Sequence, residues 1–271
     1  MPSSDTLRPV PAPSFYVPAG DDAFTATTAT VGPWSPKLQH AGPPIALVAR
    51  ALERLPGGPD GARVARVTIE ILGPVPVDGV LQLEAQVVRP GGKIAMLEAT
   101  ARIGDKILLR ARAWRLTAAA GRSTEIDLTP APPLPAVSAN QGFHGVPNFG
   151  YADALEWRFV EGRFDRPGPA VLYTRPRLPL IPGETMSPLQ RVLVMLDAAN
   201  GVSAELDPRA WTFVPVDLTC VLFAAPATEW VGMDARTTIG DDGLGLVRTA
   251  IFDERRVIGR SLHTLWVEPR T

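Results

Sequence analysis

One cysteine, Cys220, in 271 residues excludes an internal disulfide, and three scattered histidines beside it leave no cysteine-rich zinc site. Charge of one sign is also lacking. The 27 basic and 28 acidic residues are interspersed, with a net charge of −1, so nucleic acid and anionic membrane surfaces are not expected partners. Phosphate-cradling glycine loops, dinucleotide fingerprints, Gly-x-Ser-x-Gly elbows and His-Glu-x-x-His helices are all missing, so no cofactor or metal is expected. Met1 to Pro18 carries five prolines and no basic start before an apolar core, which fits neither a secretory signal nor a membrane span. A reducing cytoplasm is the expected compartment, and residues 1–21 are expected to form a loosely packed extension.

What is present is a repeat. Leu38-Gln39 and the apolar run to Glu53 recur as Leu189-Gln190 and the run to Glu205, 151 positions on. The strand-like Arg110-Ala111-Arg112-Ala113-Trp114 recurs as Arg260-Ser261-Leu262-His263-Thr264, 150 positions on. A shared spacing over some seventy residues implies two copies of one unit, related by a pseudo-twofold with room for a site between them.

In the first copy, residues 22–120, a Thr/Ala-rich strand is expected from Asp22 to Val31. Ile45, Val48, Ala49 and Leu52 then recur at helical spacing behind Pro43 and Pro44, which occupy a first turn that lacks intrahelical donors anyway. Four strands are expected to meander after the helix: Arg63–Leu72, Val80–Arg89, Ile94–Ile103 and Lys106–Leu116, with Pro90-Gly91-Gly92 as a hairpin turn. The order predicts an α+β fold in which a curved antiparallel sheet wraps one buried helix. Residues 121–148, rich in Ala and Pro, read as a linker. The second copy, residues 149–271, replays the order with strands at Leu155–Phe164 and Ala170–Arg177, a helix at Pro188–Leu206, and strands at Trp211–Phe223, Trp230–Ile239, Leu244–Phe252 and Arg256–Val267.

The copies differ where chemistry would sit. Asp197 falls opposite Ala46, and His263 opposite Ala113. Asp197 lies inside the apolar run Val192–Ala199, where an unpaired carboxylate would cost several kcal/mol, so it is expected either to cap or salt-bridge at the helix edge or to face a cleft as general base or water-positioner. His263 is a site candidate or a half-buried strand histidine. Thr219 is a candidate hydroxyl near the same cleft, and by strand alternation it would share a face with Pro215 and with Asp217, a rival acid. His40, Ala41 and Gly42 enter the first helix, where unpaired backbone N–H groups suit an oxyanion, although a turn explains the glycine equally. Cys220 is expected to pack as a small apolar residue.

Taken together, Trp34–Arg54 (WSPKLQHAGPPIALVARALER), Met195–Gly201 (MLDAANG), Val216–Leu222 (VDLTCVL) and Arg256–Val267 (RVIGRSLHTLWV) resemble the acyl-CoA thioesterase II-like family of double hotdog proteins, over about Phe24 to Glu268. The resemblance implies hydrolysis of a fatty acyl-CoA by a water held between an Asp, a Ser or Thr, and a Gln. The Asp carries over to Asp197. The Gln position falls on His263, and the hydroxyl position on Pro215, leaving Thr219 as a shifted substitute. Acyl-CoA is the implied substrate and a homo-oligomer the implied assembly. A non-catalytic acyl-CoA or lipid-binding protein is the rival reading, and a hydratase or dehydratase of the same fold a third, although Ala198-Ala199-Asn200-Gly201 after Asp197 lacks the pattern the last would want.

Overall fold

The computed structural model describes residues 7–58, 60–126, 129–137 and 147–270. Its first half contains β1 (Tyr16–Gly20), β2 (Ala23–Ala26), α1 (Gly42–Arg54), β3 (Ala62–Ile71), β4 (Val80–Arg89), β5 (Ile94–Ile103) and β6 (Lys106–Thr117). The second contains α2 (Gly150–Asp153), β7 (Leu155–Glu161), β8 (Ala170–Pro176), α3 (Pro188–Leu196), α4 (Ala199–Val202), β9 (Trp211–Pro215), β10 (Asp217–Leu222), β11 (Val231–Ile239), β12 (Leu244–Phe252) and β13 (Val257–Pro269).

Alternation sets the strands: in β13, Ser261, His263, Leu265 and Val267 turn inward while Arg260, Leu262, Thr264 and Trp266 turn out. The α1 face is different, because Ile45 through Ala49 are buried all round. Such a helix needs cover on every side. It packs on β3–β6 on one side and on α3 on the other, and α3 in turn packs on β8 and β11.

One antiparallel sheet runs through both halves in the order β1-β2-β4-β5-β6-β3-β10-β13-β12-β11-β8-β7, with β9 beside β13. Its centre is the β3–β10 pair, where Thr68 faces Thr219 and their hydroxyl oxygens lie 3.0 Å apart. These two residues are 151 positions apart, the period of the repeat, so each is the other's counterpart and the pseudo-twofold passes between them. The same relation sets α1 against α3 with opposite directions. At one end of that contact Arg50 clasps Glu184 through two bonds of 2.7 Å, and Glu53 accepts bonds from Ser187 and Gln190. A cavity opens at the other end.

Several expectations need correction. Phe15 and Tyr16 are fully buried and β1 pairs with β2, so the chain enters the core before residue 22. The strand expected over 22–31 stops at Ala26 and gives way to a 3-10 turn at Thr28–Thr30. β4, β5 and β6 meander, but β3 lies beyond β6 because it must join the two halves. The helix expected over 188–206 breaks at Asp197-Ala198, and the strand over 211–223 breaks at Val216. Within the expected linker, Pro130 bridges to Arg256, and the Pro132 carbonyl accepts the Tyr173 hydroxyl at 2.5 Å. Residues 127–128 and 138–146 of that segment lie outside the described residues.

Candidate active site

Asp197 stands where α3 ends. The Ala198 N–H bonds the Met195 carbonyl at 3.0 Å, closing a tight last turn before the short α4. The turn leaves Asp197 4% exposed, with Oδ2 3.0 Å from Nδ1 of His40. His40 comes from the other half, on a loop fixed by main-chain and side-chain bonds. Its N–H reaches the Thr30 carbonyl at 2.7 Å, and neighbouring Gln39 accepts the Tyr16 hydroxyl and donates to the Pro76 carbonyl, both at 2.6 Å. The imidazole stacks on Tyr151 with ring centres 3.6 Å apart and planes 7° from parallel. Tyr151 in turn donates its hydroxyl to the Val194 carbonyl at 2.9 Å, tying the ring to the end of α3.

Burial acts to raise the Asp197 pKa, but the His40 imidazole, with smaller contributions from His263 and the Ala41 N–H, outweighs it and holds the carboxyl below the ordinary Asp range. Asp197 is therefore ionised at neutral pH. That fixes the His40 tautomer: Nδ1 lies near both the carboxylate and the Gly42 N–H, at 3.0 and 3.2 Å, and beside an anion it carries the proton and donates to Oδ2. Gly42 has a steric role as well. A Cβ there would sit 2.1 Å from the Val194 carbonyl oxygen, so only glycine lets α1 start against the end of α3.

His263 faces inward from β13 and is fully buried. Burial pushes its pKa down to about 4, against the opposing pull of Asp197 and Asp217. Neither of its ring nitrogens, nor Oδ1 of Asp197, has a hydrogen-bond partner among the described residues. Below about pH 6.5 the unfolded chain protonates this imidazole, which the folded chain keeps neutral down to about pH 4, so stability falls as pH drops through that window. Denaturant titrations at pH 7 and pH 4 are expected to show that wild type loses about 3 kcal/mol more than His263→Leu.

A cavity of about 400 Å³ opens at this seam, lined by His40, Ala41, Asp197 and Asn200 among largely apolar walls that include Trp34, Phe149, Phe164 and Phe213. The volume suits a small-molecule ligand. Pro215 and Val216 also line it. Thr219 does not, because the strand slips at Val216: Pro215 pairs with Leu265 but Thr219 with Leu262, four residues against three. One extra residue is a bulge, and it exchanges the faces. Pro215 thus lies on the inner side with Leu265, whereas Thr219 lies on the outer side with Leu262 and Thr68, and the expectation of a shared Pro215–Thr219 face is corrected. Asp217 accepts the Thr264 N–H at 2.8 Å at the same bulge and is not a cavity residue. Gly42 and His263 do not line the cavity either. Cys220 is buried away from it, its thiol pushed up to about 12 by burial. Tyr151, Trp34 and Phe213 carry no chemical signal in the sequence, since aromatic residues serve packing as readily as sites.

Among the described residues no group of three His, Cys, Asp or Glu side chains is placed to hold a metal, and no helix is long and apolar enough to cross a membrane. No curated protein matched the chain. Among solved structures it resembles a hot dog fold protein of unknown function from Alicyclobacillus acidocaldarius (16% identity, TM-score 0.71, 92% of this chain and 93% of that one). It also resembles a tesB protein from Mycobacterium avium subs paratuberculosis (15%, 0.63, 94% and 96%) and the acyl-CoA thioesterase II TesB2 from Mycobacterium marinum (14%, 0.64, 89% and 95%). At these identities the likeness establishes the double hotdog fold. Family models for the acyl-CoA thioesterase N-terminal domain and C-terminal domain match residues 30–116 and 127–267, one on each half, and the chain therefore belongs to the acyl-CoA thioesterase family.

Proposed function

We propose that this protein hydrolyses a fatty acyl-CoA thioester by attack of a water that Asp197 positions and deprotonates. The carrying observation is the His40–Asp197 pair, 3.0 Å apart at the inner wall of an apolar cavity between the two halves. An ionised carboxylate accepts a proton with no prior deprotonation, and the donated His40 Nδ1–H fixes which way it points. Water is the nucleophile favoured by the surroundings, because Cys220 is buried outside the cavity as a thiol. As the water oxygen bonds to the thioester carbon, its proton passes to Asp197 and the carbonyl oxygen gains charge. The start of α1, which meets the cavity at His40 and Ala41, supplies the positive end of a helix dipole to that charge. The carbon–sulfur bond then breaks, the proton goes to the departing CoA sulfur, and the acid is released.

Free-thiol release from an acyl-CoA series tests this reading; binding without thiol release would favour the non-catalytic alternative. Two variants refine it. His40→Gln is expected to lower kcat roughly tenfold to a hundredfold by freeing the carboxylate's orientation. It should also move the acid limb of the pH–rate profile upward, since His40 is the chief influence lowering the Asp197 pKa. An unmoved limb would count against the pair. Thr219→Val, on the outer face, is expected to change turnover by no more than about twofold, as surface substitutions do.

A further inference from the structure

We infer that Arg166 and Arg270 form a cationic collar at the cavity that grips the phosphates of CoA, and that the carrier, not only the acyl group, is recognised. The collar rests on the thioesterase reading and extends it to the head group. Arg166, on the loop between β7 and β8, lines the same cavity as Asp197. Arg270, at the end of β13, lies over the Trp34 ring, 5.3 Å from its centre, and Trp34 also lines the cavity and is 37% exposed. The chain carries no net positive charge, so these cations are local. What makes them available is how the neighbouring acids are used. Asp165 is clasped by Arg163 at 2.7 and 3.0 Å, and Asp207 by Arg209, each pair two residues apart. Among the described residues neither Arg166 nor Arg270 forms an ion pair of its own; Arg166 adds only the smallest of the pulls that hold the Asp165 carboxyl down, behind those of Arg163. Arg270 spends its Nε–H on the Trp211 carbonyl at 3.4 Å, and the remaining guanidinium donors of the two arginines suit a phosphorylated carrier, whose phosphate oxygens they match.

The test compares one acyl group on CoA and on N-acetylcysteamine, a neutral carrier, through the ratio of their kcat/KM values. Arg166→Ala is expected to lower that ratio about tenfold, and the double variant with Arg270→Ala further, through KM for the CoA ester, as expected from losing charge-assisted contacts to phosphate. Arg166→Lys should restore part of it, and raised salt should depress it in wild type. A ratio unmoved by either alanine substitution, with both thioesters still hydrolysed, overturns the collar alone. Failure of wild type to hydrolyse either thioester overturns the hydrolase reading and the collar together.

Discussion

Asp197→Asn is expected to lower kcat for a medium-chain acyl-CoA by at least about a hundredfold while leaving the fold intact. The substitution keeps the shape of the side chain and removes only its charge. The amide can still accept a bond from His40 Nδ1, so the stack on Tyr151 and the tie to Val194 remain. What it cannot do is take the proton of an attacking water. Asp197 is 4% exposed and the fold holds its carboxyl below the ordinary Asp range, so the folded state favours the charge and the neutral amide is expected to cost some stability; turnover is therefore compared at a temperature where the variant is still folded. Near-normal turnover would remove Asp197 from the mechanism. Loss of turnover accompanied by unfolding would assign it a structural role instead.

Gly42→Ala is expected to produce the largest stability loss of any single methyl addition in the site. The new Cβ would meet the Val194 carbonyl oxygen at 2.1 Å, and both partners are backbone in helices packed against each other, so neither side can yield by rotating a side chain. Overpacking of this kind costs about 3 kcal/mol, which for a chain of this size lowers Tm by about 5 °C. Thermal unfolding measures it. Gly92→Ala is the control: its Cβ would meet nothing within 4 Å, so its Tm should stay near wild type. Because Gly42 also sets where α1 begins relative to Asp197, the variant should lose activity at temperatures where it is still folded. Equal stability for the two variants would mean that the α1–α3 contact is looser than the geometry implies.

Strand content is readable in the sequence because alternation is a local property: β4, β5 and β12 have the limits that their residues suggest. The position of β3 is not, since its partners β6 and β10 are chosen by how two halves close into one sheet. The same distinction runs through the site. Asp197 is visible as a carboxylate in an apolar run, and His40 as a residue entering a helix. Their pairing is invisible, because 157 positions separate them and only the pseudo-twofold brings them together. Counting in twos puts Thr219 on one face with Pro215, and that method fails wherever a bulge inserts a residue, as at Val216. Tyr151 has no signal at all. Its role is to stack on His40, and nothing in Phe149-Gly150-Tyr151 distinguishes that from packing.

Single-turnover hydrolysis in ¹⁸O-labelled water, with enzyme in excess over an acyl-CoA, separates attack by water from attack by the Asp197 carboxylate. A water that Asp197 deprotonates predicts one labelled oxygen in the fatty acid of the first turnover and none in the protein. Unlabelled acid with the label recovered on Asp197 would show that the carboxylate itself attacks the thioester, and would contradict its role as a base.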